Sequence, residues 1–469
     1  MKNLIFSGLF SLIVLMLCSQ QSIAQNSYAQ EGWKAYEAQD YVKAVEYFSK
    51  HLNAFPKDAV TYHIRANIYQ LYAEYHKALS DINNSIKYYS PKKDKENLAK
   101  AFHVRGQIYA QIEELDKALQ DINSALKLFP KSTDFLLGRA NLYFQKGDYD
   151  TAYKEYEKIL KMDESVVQAY WGIGHCFYAQ ERYKQAIEQF TKALRLAPNY
   201  PAALDSRART YMLLEQYDNA ITDYNKILEI TENSNAYAFG MLGYAYRRKG
   251  NYDQAIVNFE KAVNLAPQES SYYYEIGDCR RLRGDFDGAI EAFTKAIEID
   301  PSNGSNYYRR GWTYYFAKQY EKALNDYNQS ININPNVAYF YLNRGEILEI
   351  MNRQEDAKKD YERVVELDSE IRPQGNCKQY ALLSLGEKTK AIEWLNKILD
   401  KYPTSGNHYD ATCFYSKMNE KELALKHLDL SFQKGYRDFN HIKVDDDMDN
   451  IRELPEFKNL IQKYGGVVE

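Results

Sequence analysis

A small residue recurs along this chain at Gly32, Ala66, Gly106, Ala140, Gly174, Ala208, Gly243, Gly277, Gly311 and Gly345, mostly 34 residues apart. Twelve residues after each stands an alanine: Ala44, Ala78, Ala118, Ala152, Ala186, Ala220, Ala255, Ala289, Ala323 and Ala357. The step lengthens by six across SPKKDKENLAK and by one near Asn235. Self-similarity at such a period marks an array of small units, each burying its apolar face against the next. A chain of 469 residues built this way needs no single large core.

Each period reads as two amphipathic helices, A and B, joined by a tight polar turn such as KGDYD, KGNYD or RGDFD. A glycine inside helix A costs roughly 0.5–1 kcal/mol against alanine. That cost is tolerable where helix A lies nearly backbone-to-backbone on helix B, with the alanine answering from the other side. Prolines at 56, 130, 198, 267, 301 and 335 end six of the B helices and start the turn to the next unit.

This pattern resembles the tetratricopeptide repeat family. The small residue at position 8, alanine at 20, aromatic residues near 4, 11 and 24, and proline at 32 all fall in register. The resemblance covers ten units over 25–371, then two degenerate ones over 372–438. The first of these keeps Ala391 and Pro403, and the second keeps Ala424. It implies an all-α, right-handed superhelical solenoid whose A helices line a concave groove. The stretch YDATCFYSK to ELPEF, residues 409–457, is similar to the terminal module that closes bacterial arrays of this family by covering the last apolar face, with 439–469 as the C-terminal capping segment.

Position 7, usually leucine in that family, is arginine at Arg65, Arg105, Arg139, Arg207, Arg310 and Arg344. Sixteen residues on, each of these units carries an acid: Asp81, Asp121, Glu155, Asp223, Asp326 and Asp360. The other units have Tyr47, Gln189, Asn258, Ala292, Trp394 and His427 there. The co-occurrence predicts an ion pair between the two helices of one repeat, which makes these arginines architecture. Passive inheritance from one duplicated ancestor is the competing explanation.

The groove-facing positions of the middle A helices hold Trp171, His175 and Tyr178, then Arg209, then Tyr244 and Arg247. They continue as Tyr274, Asp278 and Arg281, then Tyr308, Trp312 and Tyr315. Aromatic side chains interleaved with arginine match the composition of binding hot spots. The alternative is that these rings serve only as core. Glu346 and Glu349 turn the next unit acidic. The family's carboxylate clamp is absent: His63 and Asn67 fit, but Val104, Asp134 and Gly138 follow where basic and asparagine residues are needed.

The opening residues combine Lys2, an apolar run from Leu4 to Leu17 and the small-x-small triplet ending at Ala24, as in a secretory leader over 1–24. Lipid attachment at Cys18 is the rival, weakened by Leu17 in front of it. The expectation is therefore an exported protein, periplasmic or outer-membrane-associated, with no membrane span after cleavage. A net charge of -4 argues against nucleic acid as the partner. The four further cysteines, Cys176, Cys279, Cys377 and Cys413, show no metal spacing, and a Cys377–Cys413 disulfide stays open.

No catalytic or cofactor motif occurs, so neither enzyme chemistry nor a cofactor is expected. The run Asp445-Asp446-Asp447-Met448-Asp449 lacks the glycine and closing glutamate of a calcium loop and reads as a solvated acidic turn. The partner expected is a protein or peptide segment, within an envelope complex or alone. A glycan held by the same aromatic residues, or a role as the non-catalytic subunit of an enzyme complex, are the alternatives.

Overall fold

The structure, a computed structural model, describes residues 27–368 and 377–467. The expected leader at 1–24, Cys18 included, lies outside them. The described residues form helices throughout, and consecutive helices pair A on B. The chain divides into two compact units, Met1–Thr210 and Tyr211–Glu469. No helix among the described residues is long and apolar enough to cross a membrane.

The first unit contains five helix pairs, from Ser27–Glu37 with Tyr41–Ala54 to Val167–Ala179 with Tyr183–Leu196. The second unit includes the pairs Ala236–Arg248 with Tyr252–Leu265, Ser270–Leu282 with Phe286–Ile299, Gly304–Phe316 with Tyr320–Ile333, and Ala338–Ile350 with Gln354–Leu367. B helices end at Ala54, Leu128, Leu196, Leu265, Ile299 and Ile333, each two residues before its proline. Asparagine and aspartate open helices by capping: Asp148 accepts from the Thr151 amide, and Asp285 from that of Gly288. Each A helix leaves through a left-handed residue. Gly147, Gly250 and Gly284 take it without strain, whereas Glu113, Glu181 and Lys318 hold φ near +60° despite their side chains.

The close approach of the two helices has a specific partner. A Cβ on Gly243 would sit 2.6 Å from the ring of Phe259, and one on Gly277 would sit 2.9 Å from Phe293. The position-24 ring lies flat on the glycine, so glycine makes room for an aromatic residue more than for the position-20 alanine. At Gly106, where position 24 is Ile122, the nearest atom is instead the Ala118 carbonyl oxygen, at 3.2 Å. The position-20 alanines are themselves buried throughout.

The degenerate region departs from the array. Its first A helix, Cys377–Ser384, has 8 residues where most of the regular ones, such as Gly304–Phe316, have 13. After the last pair, Ser405–Lys417 with Lys421–Gln433, come short helices at Phe439–Val444, Asp446–Met448, Asp449–Arg452 and Pro455–Lys463. Ile442, Met448, Ile451, Phe457 and Ile461 of this segment share one core with Phe414, Leu428 and Phe432 of that pair. Cys176, Cys279, Cys377 and Cys413 are all buried thiols.

Candidate functional site

The arginines of position 7 are not groove residues. Arg310 donates Nε–H to Asp326 Oδ2 and Nη2–H to Oδ1, both at 2.8 Å. The same fork joins Arg65 to Asp81 (2.6 and 2.8 Å), Arg105 to Asp121 (2.7 Å twice) and Arg344 to Asp360 (2.7 and 2.6 Å). Arg139 grips one oxygen of Glu155, at 3.2 and 2.6 Å. Arg207 and Asp223 belong to different units.

The remaining nitrogen, Nη1, reaches back to the preceding B helix. Its acceptors are Ser49, Asn83, Asn123, Thr191, Thr294 and Asn328, for Arg65, Arg105, Arg139, Arg207, Arg310 and Arg344 in turn. Each arginine therefore ties its repeat to the one before, a role that pairing within the repeat alone did not suggest.

A second cluster lies on the A-helix face of the second unit. Asn235 and Asn303 cap helices Ala236–Arg248 and Gly304–Phe316 by accepting from the amides of Ala238 and Ser305. Asp278 is buried between arginines of three successive A helices: Arg247 Nη1 at 2.9 Å, Arg281 Nη2 at 3.0 Å and Arg309 Nη1 at 3.9 Å. Burial would push the Asp278 carboxyl up, but the arginines outweigh it and hold the group below the usual carboxylate range.

The guanidinium of Arg281 lies 4.3 Å from the centre of the Trp312 ring, and that of Arg309 lies 5.1 Å from it. Arg309 Nε–H also donates to the Tyr274 hydroxyl at 2.9 Å. Glu275 is buried beside Arg247, yet Arg247 Nε and Glu275 Oε2 face each other at 3.1 Å without completing a hydrogen bond. Burial, with Asp278 adding to it, raises Glu275 to about 7.

The expected groove residues divide into groups. Arg247, Tyr274, Asp278, Arg281 and Trp312 come together, although Asp278 is buried instead of facing outward. Tyr308 packs among Tyr327, Tyr339 and Phe340, and Tyr244 lies edge-on to Phe259, so both behave largely as core. Tyr315 rests on Phe316 and Tyr320. Trp171, His175 and Tyr178 form a separate cluster in the first unit, organised by Ser206, whose Oγ accepts from Trp171 Nε1 at 3.1 Å and lies 3.0 Å from His175 Nε2. Arg209 stands 3.9 Å from Asp205 and is half-exposed.

Models of the tetratricopeptide repeat match residues 103–165, 137–201, 200–268, 241–304, 307–337 and 338–371, together more than half of the chain. The chain belongs to the tetratricopeptide repeat family. Among individual proteins it is similar to a chloroplastic protein of Arabidopsis thaliana, 30% identical over 83 residues. That stretch is 17% of this chain and 25% of the relative, so the match spans a quarter of the relative's length. Similar solved structures include YrrB, described as a TPR protein with an unusual peptide-binding site, 24% identical, covering 38% of this chain and 92% of its own at a TM-score of 0.34. A tetratricopeptide repeat protein from Parabacteroides merdae is 18% identical, covering 54% and 97% at a TM-score of 0.39.

Two residues of the tetratricopeptide face escaped the sequence reading, Glu275 and Arg309. Both stand two places before the small residue, where other repeats carry Ile64, Val104, Gly138, Gly172 or Met241. Charge at that position in adjacent repeats was the available signal. The acidic turn also differs from expectation. Asp445 Oδ2 accepts from the Tyr409 hydroxyl at 2.6 Å and the Cys413 thiol at 3.6 Å, and Oδ1 accepts from the Asp447 amide. Asp447 itself lies 3.2 Å from the Lys417 ammonium. These acids are tied into the fold and only Asp446 and Asp449 of the run are exposed.

Proposed function

We propose that this tetratricopeptide chain is an exported scaffold that binds a protein or peptide segment along the A-helix face of its second unit. The observation that carries the reading is Arg281, fixed between Asp278 at 3.0 Å and the Trp312 ring at 4.3 Å. With Arg247 and Arg309 it forms a preorganised surface of cations and rings in which three guanidiniums face two carboxyls. Such a surface offers contact area and directed hydrogen bonds with little ordering left to do. The leader pattern over 1–24 supports export, and an envelope complex is the setting it favours.

A glycan stacking on Trp312 would have to displace a guanidinium, which disfavours the carbohydrate reading.

The test is a pull-down from the native host's envelope fraction with residues 25–469, wild type beside Trp312→Ala. Circular dichroism first has to show that both fold alike. Trp312 is the better probe than Tyr308, whose ring is packed against Tyr327 and Phe340. A prey lost only with the variant supports the face; the same prey retained rules that face out.

A further inference from the structure

Helix Ser405–Lys417 ends on a lysine that faces two distant parts of the second unit. The Lys417 ammonium lies 3.2 Å from Asp447 Oδ1 in the acidic turn. It lies 3.7 Å from Glu346 Oε1 on the A helix Ala338–Ile350. It also sits 5.2 Å from the centre of the Tyr380 ring. Glu346 follows Gly345 as Trp312 follows Gly311 and Asp278 follows Gly277. It therefore holds the equivalent place on the A-helix face, one repeat beyond Trp312.

The acidic turn is fastened to its own module. Besides the Tyr409 bond to Asp445, Asn450 Nδ2 donates to the Ser416 carbonyl at 2.9 Å, and Arg452 donates to the carbonyls of Ile442 at 2.9 Å and Asp445 at 2.6 Å. Turn and helix thus form one piece, and that piece meets the A-helix face at Glu346 through Lys417.

The charges around the contact are uneven. Glu346, Asp445, Asp446 and Asp447 crowd there with Glu349 close by on the same helix; Lys417 meets Glu346 and Asp447, and His441 Nε2 lies 3.5 Å from Asp445. Tyr315, one repeat earlier, feels both Lys417 and Asp446. Asp438 also bears on Tyr217 and Tyr252, which begin two B helices of the same unit. Like charges so placed separate once the lysine is gone.

We propose that the C-terminal module is a strap across this end of the ligand face, clasped by Lys417 between Glu346 and Asp447, and that it closes the line Asp278–Trp312–Glu346 at its Glu346 end. This rests on the function proposed above for the same face. The clasp is half-exposed, so salt loosens it.

Carboxyl footprinting of the full mature chain, with a carbodiimide and glycine ethyl ester read by mass spectrometry, tests it. In Lys417→Met the labelling rate at Glu346 should rise about two- to fivefold, the population change an ion pair of ordinary exposed strength supports. In Glu346→Gln, Asp447 should respond in the same direction. Asp326, buried in its own ion pair in another repeat, should stay protected in both variants.

An unchanged rate at Glu346 in Lys417→Met would overturn the clasp. So would Asp326 becoming labelled alongside it, because the module would then be part of the fold and not a strap. Footprinting needs no partner, so its failure leaves the pull-down reading standing, and a failed pull-down leaves the strap standing.

Discussion

Arg310 and Asp326 meet as a fork, two parallel bonds of 2.8 Å between adjacent helices, with the carboxylate almost wholly buried. Removing either partner strands the other charge away from water, a loss of about 3–5 kcal/mol. Replacing both by leucine removes two desolvation costs along with the attraction, so Arg310→Leu with Asp326→Leu should melt close to wild type. Urea unfolding of the two singles and the double checks this; a double that loses the sum of the two singles would show that the pair is not coupled. Thr294→Val removes the bond to Arg310 Nη1 at 3.0 Å and should cost about 1 kcal/mol.

Gly243 sets how closely its helix approaches the ring of Phe259. A methyl group there would meet the Phe259 ring at 2.6 Å, inside van der Waals contact. Gly243→Ala gains helix propensity but forces the two helices apart, and overpacking of that kind costs about 1–3 kcal/mol. Shortening the ring makes room, so Phe259→Leu should cost less in the Gly243→Ala background than in wild type. A double-mutant cycle with simple additivity would show that the ring is not what excludes the methyl.

The array was legible because its signals are local and repeated. Position 8, position 20 and the prolines each recur at one spacing, and each states a backbone constraint. The arginine–acid pairs were legible for the same reason, since two residues sixteen apart vary together within one chain. The third bond of each arginine was not, because its acceptor is serine, threonine or asparagine and lies in the previous repeat. The site was less legible still. Tyr308 and Trp312 share a helix and a composition, yet Tyr308 packs against Tyr327 and Phe340 while Trp312 carries Arg281. Periodicity places both on one face and says nothing of which ring the neighbouring repeat covers. Lys417 near Glu346 is a contact between the terminal module and the tenth repeat, and no repeat spacing encodes it.

Acid should weaken the first unit strongly. Burial lowers His63, His103 and His175 each to about 4. Lys100 and Arg209 add to the effect at His63 and His175, while Asp134 opposes it at His103. In the unfolded chain these side chains titrate near 6.5. Between those values the unfolded state binds the extra proton, so stability is intact above about 6.5 and is lost as pH falls toward 4. Each histidine accounts for up to roughly 3 kcal/mol over that window. Replacing His63 and His103 with leucine should flatten the pH dependence of urea unfolding, and a slope unchanged by both replacements would sink the assignment.

Glu275 has the opposite sign. Burial, with Asp278 adding to it, raises its carboxyl to about 7, against Arg247 and Arg309, which pull it down. Arg247 fails to hold the charge because its Nε meets Oε2 at 3.1 Å without alignment. An acid near 4.5 in the unfolded chain and near 7 in the fold takes up a proton on folding, so stability falls as pH rises between those values and the full cost persists above 7. Glu275→Gln should therefore equal wild type at pH about 4.5 and exceed it by up to roughly 3 kcal/mol at pH about 8. The same titration changes the ligand face. With Glu275 protonated, Arg247, Arg281 and Arg309 face the single carboxylate of Asp278, and an acidic segment should bind more tightly below neutrality than above it. Wild type should show that pH dependence of partner binding and Glu275→Gln should lack it; a dependence that survives the substitution would have to come from another group.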